Sequence, residues 1–388
     1  MKTLMMLLVF ACAAAALAAP PESSETSRQW TRGLPVRSDY FPIAVWLQSP
    51  ANAAKYKAAG INLYVGLWEG PTAEQLEQLR AAGMPVICDQ NTFALENLAD
   101  PIFVGWMHGD EPDNAQADGQ GGWGPPVEPS KIVTDYHEIR RNDPTRPVML
   151  NLGQGVAWDG WHGRGVRTNH PEDYAQYVQG GDILSFDIYP AVHDNKDIVG
   201  QLHYVPYGVE RLIQWTEGKK IVWNCIEASR IGNLNLVPTG EQIRSEVWMS
   251  IIQGSRGLIY FVHQFRPTFN EDSLLDDPKL LEAVTAVNRQ VHALAPVINS
   301  TEVVQGAEAT SRVAEVPLTM MARRYDGATY VFAAAMRNRR TLGTFKIPGL
   351  KAGASVEVIG EDRTLTAADG SFRDLFDGYD VHLYKIAD

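Results

Sequence analysis

The sequence KAAGINLYVGL at residues 57–67 has a close counterpart in RAAGMPVIC at residues 80–88. In each segment, a helical stretch reaches a glycine and passes directly into a short apolar run. Glycine accepts the left-handed backbone conformation that ends many helices. An unbroken apolar run is typical of a strand that is covered on both faces. The two segments therefore predict a repeated unit in which a helix leads into a buried parallel strand.

The same alternation extends from about residue 41 to residue 299. Eight apolar runs are predicted strands: Pro42–Leu47, Ile61–Leu67, Pro85–Cys88, Ile102–Met107, Pro147–Asn151, Ile183–Ile188, Ile221–Ile226 and Leu258–Val262. Predicted helices include Thr72–Ala82, Ser130–Arg141, Thr239–Gln253 and Pro278–Ala295. Two of these helices begin with a threonine that is followed three residues later by a glutamine, as in a capping box. This pattern predicts an α/β fold, a closed (β/α)8 TIM barrel, over residues 37–299. An open doubly wound sheet is disfavoured, because no glycine-rich turn follows the first strand.

After residue 300 the pattern changes to short runs with β-strand character. Turn pairs such as Asp326-Gly327 and Pro348-Gly349 separate them. The predicted strands are Thr319–Arg324, Tyr330–Met336, Gly343–Ile347, Ser355–Ile359 and Tyr379–Tyr384. We expect a small C-terminal antiparallel β-sandwich at residues 300–388, with a structural role rather than a sugar-binding one.

The N-terminal residues have the features of an export signal. Lys2 precedes the almost wholly apolar stretch Leu4–Leu17, and Ala16-Leu17-Ala18 resembles a cleavage site. We predict a signal peptide at residues 1–19, a disordered leader at residues 20–36, and a secreted or periplasmic protein. A lipoprotein anchor at Cys12 is disfavoured because the preceding residues match that signal poorly. No later stretch is long enough for a membrane span.

Composition limits the partners. The net charge of −12 disfavours binding to nucleic acid. Ten Trp and fourteen Tyr suit a protein that handles sugars, although large cores also bury aromatic side chains. Cys88 and Cys225 lie within predicted strands, so we expect two buried free thiols rather than a disulfide. The sequence leaves the oligomeric state open.

Polar and aromatic side chains stand at the C-terminal ends of the predicted strands, where barrel enzymes carry their chemistry. Glu111 follows the fourth strand and Glu227 ends the seventh, so the barrel would place two carboxylates across one pocket. Hydrolysis of a glycosidic bond needs two such groups. The candidate substrate-binding residues are Trp46, Trp68, Asp110, Asn151, Trp158, Asp187, Tyr189 and His263.

Other barrel chemistries fit less well. The first strand has no His-x-His pair for a metal-dependent hydrolase, and no inner strand carries a lysine placed for Schiff-base chemistry. Glycine-rich phosphate-binding turns after the last two strands are also missing, apart from a weak candidate at Gly232. We therefore expect no metal and no cofactor, and a carbohydrate as the substrate.

Four stretches resemble the clan A glycoside hydrolases. They are GWMHGDEP at residues 105–112, LSFDIYP at 184–190, VWNCIE at 222–227 and GSRGLIYF at 254–261. That clan places a glutamate acid/base after the fourth strand and a glutamate nucleophile after the seventh. The resemblance implies a retaining enzyme for poly- or oligosaccharides, with Glu111 as acid/base and Glu227 as nucleophile. Their carboxyl groups would then lie roughly 5–5.5 Å apart.

One departure from that clan keeps two alternatives open. The residue before the acid/base is usually asparagine, but here it is Asp110. An adjacent Asp-Glu pair resembles the substrate-assisted N-acetylhexosaminidases, in which the substrate's own acetamido group is the nucleophile and Glu227 is not needed. A barrel that binds glycan without cleaving it is the second alternative.

Overall fold

The computed structural model describes residues 30–387. The expected signal peptide and Cys12 lie outside the described residues. None of the helices within the described range is both long and apolar enough to span a membrane.

Nine parallel strand segments form one sheet in the order β7-β6-β5-β4-β3-β2-β1-β9-β8. Their bounds are β1 Ile43–Trp46, β2 Leu63–Val65, β3 Val86–Cys88, β4 Phe103–Met107, β5 Val148–Leu152, β6 Ile183–Phe186, β7 Ile221–Val222, β8 Asn224–Glu227 and β9 Leu258–Phe261. The seventh predicted strand is thus divided at Trp223: β7 pairs with β6, and β8 pairs with β9. The sheet therefore runs around a nearly closed ring, which confirms the predicted TIM barrel.

Helices connect the strands on the outside. They are α1 Ala53–Ala58, α2 Ala73–Ala82, α3 Thr92–Glu96, α4 Pro129–Asn142, α5 Tyr174–Tyr177, α6 Tyr204–Trp215, α7 Gly240–Gln253 and α8 Pro278–Ile298. Both predicted capping boxes are present, at Thr72 before α2 and at Thr239 before α7. Gly60 and Gly83 adopt φ values of 83° and 62°, the left-handed conformation that their place between helix and strand requires.

Alternate side chains of the strands face two different cores. Ala44, Ile87, Met149 and Cys225 belong to a cluster inside the barrel, whereas their strand neighbours pack against the helices. Inside the barrel, the indole of Trp223 lies where a side chain at Gly257 would be, since a Cβ there would come within 2.4 Å of the ring. Side-chain layers of this kind fill the barrel, so a substrate must bind at its mouth.

The C-terminal region forms two antiparallel sheets, as expected, but with more strands. They are β10 Glu308–Ser311, β11 Leu318–Tyr325, β12 Ala328–Ala335, β13 Thr341–Lys346, β14 Ser355–Val358, β15 Arg363–Thr366, β16 Ser371–Phe376 and β17 Val381–Ala387. The prediction missed β10, β15 and β16. The first two have few apolar residues and no fully buried position, and β16 carries Asp374 on its buried side. Each therefore lacks the apolar pattern that indicates a strand.

This sandwich packs on the barrel through α7. The rings of Trp248 and Phe332 meet edge to face, 5.2 Å apart, and Arg244 donates a hydrogen bond of 3.0 Å to the carbonyl of Val381. The helix that follows β8 is therefore held between the barrel and the sandwich.

Arg32 and Leu34, which fall within the expected leader, contact the barrel. The Arg32 amide donates to the carbonyl of Thr145, and Leu34 packs against the inner cluster of the barrel. Apolar contact orders this segment even though its composition suggested disorder. Cys88 and Cys225 are buried free thiols, as predicted.

Candidate active site

A pair of carboxyl groups lies at the mouth of the barrel. Glu111, in the loop after β4, and Asp187, directly after β6, are hydrogen-bonded to each other through their side chains. Two carboxyl groups can form such a bond only if one of them is protonated. Asp187 is buried, and Glu111 retains some solvent contact. The pair therefore holds a proton at a position that a bound molecule can approach.

Glu111 itself has an unusual backbone conformation. Its φ of 43° lies in the left-handed region, which a residue with a side chain occupies at a cost of about 1–3 kcal/mol. Such conformations persist where the surrounding structure enforces them. Here the turn directs the Glu111 carboxyl toward the next two strands instead of continuing the direction of β4.

Two neighbouring strands hold the Asp110 carboxyl in place: Asn151 of β5 bonds it directly, and Ser185 of β6 bonds Asn151. The Asn151 side-chain amide donates a hydrogen bond of 2.9 Å to Asp110, and its oxygen accepts one of 2.7 Å from Ser185. An ionised Asp110 can only accept, so the amide N–H of Asn151 must face it, and the Ser185 hydroxyl then donates to the amide oxygen. Asp110 keeps solvent access, and its free oxygen can therefore accept a hydrogen bond from a ligand.

Three residues that the sequence did not indicate hold Glu111 in place. Asn114 hydrogen-bonds the Glu111 carboxyl, and its own oxygen accepts a bond of 2.9 Å from the indole N–H of Trp161. Both Asn114 and Glu111 pack over Gly153: a Cβ on this glycine would lie 2.8 Å from Asn114 Nδ2 and 3.0 Å from Glu111 Oε1. Only tertiary contact brings these residues together, so no local sequence pattern could have identified them.

We expect Gly153→Ala to lower activity without unfolding the protein. The added methyl group would collide with Asn114 and displace the Glu111 carboxyl, and a displacement of about 1 Å can cost roughly 100-fold in rate. Steady-state kinetics together with thermal unfolding would test this. Gly232→Ala is a suitable control, because its added methyl group would enter open space. Gly155→Ala is not suitable, because its methyl group would collide with Tyr174 and Arg164. Full activity in Gly153→Ala would contradict the positioning role.

Burial and mutual repulsion raise the pKa values of the acids in this cluster. Burial raises the pKa of Glu111 to about 8, with Asp110 and Asp113 contributing by charge repulsion. Burial also raises the pKa of Asp110 to about 6, against the hydrogen bond from Asn151. Asp187 has a raised pKa through burial and the charge of Glu111. Near neutral pH the cluster therefore combines a proton shared by Glu111 and Asp187 with an ionised Asp110.

Tyr189 adds an unused donor beside the cluster. Its hydroxyl is buried and, apart from a weak contact with the Cys225 thiol, has no hydrogen-bond partner within residues 30–387. The charges of Asp187, Glu111 and Asp110 contribute to the raised pKa of this hydroxyl, which places it near all three. Buried polar groups without partners are rare in folded proteins, so this hydroxyl is a spare donor next to the acidic cluster.

Glu227 lies in a different environment from the Glu111–Asp187 pair. Its side chain is completely buried, at 0 % exposure. One carboxyl oxygen accepts a hydrogen bond of 2.7 Å from the Ala191 amide, and the other lies beside the Glu246 carboxyl of α7, with which it can form a hydrogen bond only when one of the two groups is protonated. Within the described residues, no hydrogen bond joins Glu227 to the Asp110–Glu111–Asp187 cluster. Two facing catalytic carboxyl groups lie roughly 5–9.5 Å apart and need no hydrogen bond between them, so the pairing of Glu111 with Glu227 across the pocket stays a prediction.

The neighbour of the Glu227 carboxyl is a second buried carboxyl group. Glu246 is completely buried on the helix that follows β8. Burial and the charge of Glu227 raise the pKa of Glu246, and burial raises the pKa of Glu227 to about 7. A shared proton again lets two carboxyl groups bond without a cation.

This second pair predicts that stability falls with rising pH. Both folded-state pKa values lie above the unfolded value of 4.5. The contribution of the pair is therefore complete below about pH 4.5 and is lost as pH rises through about 7. Urea unfolding at about pH 5 and pH 8.5 should show this fall in the wild type and a smaller fall in Glu246→Gln, which cannot ionise. Glu241→Gln, an exposed site on α7, is the control; equal pH dependence in all three proteins would refute the assignment.

The remaining predicted binding residues differ in accessibility. Trp46 is 5 % exposed and belongs to the core inside the barrel, so it offers little face to a sugar. Trp68 is 70 % exposed. Trp158 is half-buried and lies 6.1 Å from Trp161 between ring centroids, next to the residues that hold Glu111. His263 is buried and contacts the carbonyl of Leu47 rather than the acidic cluster.

Within residues 30–387, no group of three or more His, Cys, Asp or Glu side chains has the arrangement of a metal site.

No family model and no curated protein matches this sequence. The fold, however, is similar to that of solved structures. α-Galactosidase I from Mortierella vinacea has 11 % identity and a TM-score of 0.55, over 92 % of this chain and 98 % of that chain. A Bacteroides fragilis protein described provisionally as an α-galactosidase has 11 % identity and a TM-score of 0.52, over 90 % of this chain and 80 % of that chain. At such identities the similarity shows the shared fold alone.

Proposed function

We propose that this protein is a glycoside hydrolase in which Glu111 is the general acid and base. The observation that carries the proposal is the Glu111–Asp187 carboxyl pair, which keeps a proton at the mouth of a barrel near neutral pH. A glycosidase needs such a proton for the leaving oxygen, and a raised pKa is the usual means of keeping it. Trp158 and Trp161 beside the pair supply aromatic faces of the kind on which sugars stack.

The placement of Glu227 favours the substrate-assisted scheme over the two-glutamate scheme. A nucleophile must touch the anomeric carbon, yet Glu227 has no exposed surface and its carboxyl is already engaged by Ala191 and Glu246. Asp110, by contrast, is ionised, anchored by Asn151 and accessible. It can accept a hydrogen bond from the N–H of a 2-acetamido group and orient its oxygen for attack.

The reaction then balances with two protein groups. The acetamido oxygen forms a bond to the anomeric carbon as the glycosidic bond breaks, and Glu111 transfers its proton to the leaving oxygen. The cyclic intermediate is opened by water, whose proton returns to Glu111. Asp187 tunes Glu111 through the shared proton and does not need to touch the substrate.

The experiment that tests this proposal is turnover on paired aryl glycosides with and without a 2-acetamido group. The 4-nitrophenyl β-N-acetylglucosaminide and β-N-acetylgalactosaminide place the acetamido group opposite the leaving group, and the matching β-glucoside and β-galactoside lack it. An α-galactoside belongs in the panel because of the two structural neighbours. We expect turnover of an acetamido substrate alone, and a lower rate in Glu111→Gln, most of all on acetamido substrates whose leaving group is poorer than nitrophenol.

Other outcomes would point elsewhere. Turnover of sugars without the acetamido group would support the two-glutamate scheme, in which Glu227 is the nucleophile. Binding to glycans without turnover of any substrate would favour the non-catalytic barrel. Export is a separate proposal that rests on residues 1–19, and N-terminal sequencing of the mature protein from its host would test it.

A further inference from the structure

A tight hairpin lies on the rim of the barrel between β9 and α8. Gln264 and Asn270 exchange two backbone hydrogen bonds of 2.9 and 2.8 Å. The Phe265 amide also donates a bond of 2.6 Å to the carbonyl of Ile231, in the loop after β8. Two backbone bonds thus close the hairpin and a third fixes it to the neighbouring loop, which gives it a defined position beside the mouth of the barrel.

This hairpin presents two phenylalanine rings to solvent. Phe265 is 51 % exposed and Phe269 is 64 % exposed. Their centroids are 5.9 Å apart and their planes are inclined by 34°. Single exposed apolar residues are common, whereas an adjacent pair on a fixed support indicates a binding surface.

Ring contacts connect this pair with the acidic cluster. Phe261, at the end of β9, lies 6.1 Å from Phe265 and 5.2 Å from Tyr189. Tyr189 in turn lies near Asp187 and Glu111. Tyr189, Phe261, Phe265 and Phe269 therefore form a continuous row of rings from the buried cluster to the solvent, which we call the aromatic track.

We infer that the aromatic track binds successive units of a glycan chain, so that the substrate is an oligo- or polysaccharide. This inference rests on the proposed function. The apolar C–H faces of sugars pack on aromatic rings, and the two outer rings of the track are open to such packing, since Phe265 is 51 % exposed and Phe269 is 64 % exposed. A glycan that occupies the track has one end at the Glu111–Asp187 pair, where a bond can be cleaved.

The first arm of the test compares long and short substrates in a Phe265→Ser/Phe269→Ser double variant. Each lost ring should lower kcat/KM on long oligosaccharides roughly two- to tenfold, while the value for an aryl monosaccharide stays unchanged. Tyr325→Ser, at a 38 % exposed position on the sandwich, is the control. Phe269→Ser alone serves if the double variant does not fold. An unchanged preference for chain length would overturn the inference.

The second arm measures binding without cleavage. The Glu111→Gln variant of the full chain should migrate more slowly in native gels that contain a soluble polysaccharide. Adding Phe265→Ser and Phe269→Ser to this variant should abolish the slower migration. If wild-type protein cleaves no glycoside but this binding persists, the proposed function fails and the aromatic track stands. If the double substitution changes the oligomeric state instead, the surface is a protein interface and the inference is wrong.

Discussion

Glu111→Gln should lower kcat/KM by about 10²–10⁴-fold on glycosides with poor leaving groups. Glutamine keeps the size and the hydrogen bond with Asn114 but cannot supply a proton. The loss should be smaller for nitrophenyl leaving groups, which depart with little protonation. Initial rates across a series of aryl leaving groups, measured on wild type and variant, would reveal this dependence.

Glu241→Gln on the exposed side of α7 is the matched control, and its activity should equal that of the wild type. An equal loss for good and poor leaving groups would show that Glu111 does not act as an acid. Thermal unfolding of each variant separates such a result from misfolding.

Asp110→Asn should be nearly as damaging as Glu111→Gln on substrates with a 2-acetamido group. An amide can no longer offer the negative charge that polarises the acetamido N–H, so the internal nucleophile loses its support. The pH profile should change as well. The wild type should lose activity below about pH 6, where Asp110 takes up a proton, and above about pH 8, where Glu111 loses its own.

In the pH profile of Asp110→Asn, the fall in activity at acidic pH (the acidic limb) should disappear, whereas the fall at basic pH (the basic limb) should remain. Asp135→Asn, on α4 and distant in sequence from the strand ends, serves as control. A modest loss of activity with both limbs retained would mean that Asp110 only shapes the pocket, as the two-glutamate scheme requires.

The barrel was predictable because its strands are covered on both faces. Such strands appear in the sequence as unbroken apolar runs, and glycines such as Gly60 and Gly83 mark the points where helices give way to them. The division of the seventh strand at Trp223 was not predictable. Its apolar run continues through the break, and only pairing with β6 and β9 reveals it.

The site was predictable in part, for a related reason. Parallel strands bring their C-terminal ends to one face, so Asp110, Glu111, Asn151 and Asp187 could be expected to meet, and hydrogen bonds join them. The same rule places the backbone of Glu227 at a strand end but does not determine where its carboxyl group points, so its pairing with Glu111 stays a prediction. Gly153 could not be identified either, since its role depends on what packs over it.

The position of Glu227 is the central claim that separates the two catalytic schemes, and one comparison tests it most directly. Activity of Glu227→Gln and Glu111→Gln should be measured side by side on the best substrate of the panel, with stability recorded for both. We predict that Glu227→Gln retains activity within about tenfold of the wild type, since glutamine can still bond Ala191 and Glu246. The account would be contradicted if a folded Glu227→Gln variant were as inactive as Glu111→Gln and if added azide restored the activity of a separate Glu227→Gly variant.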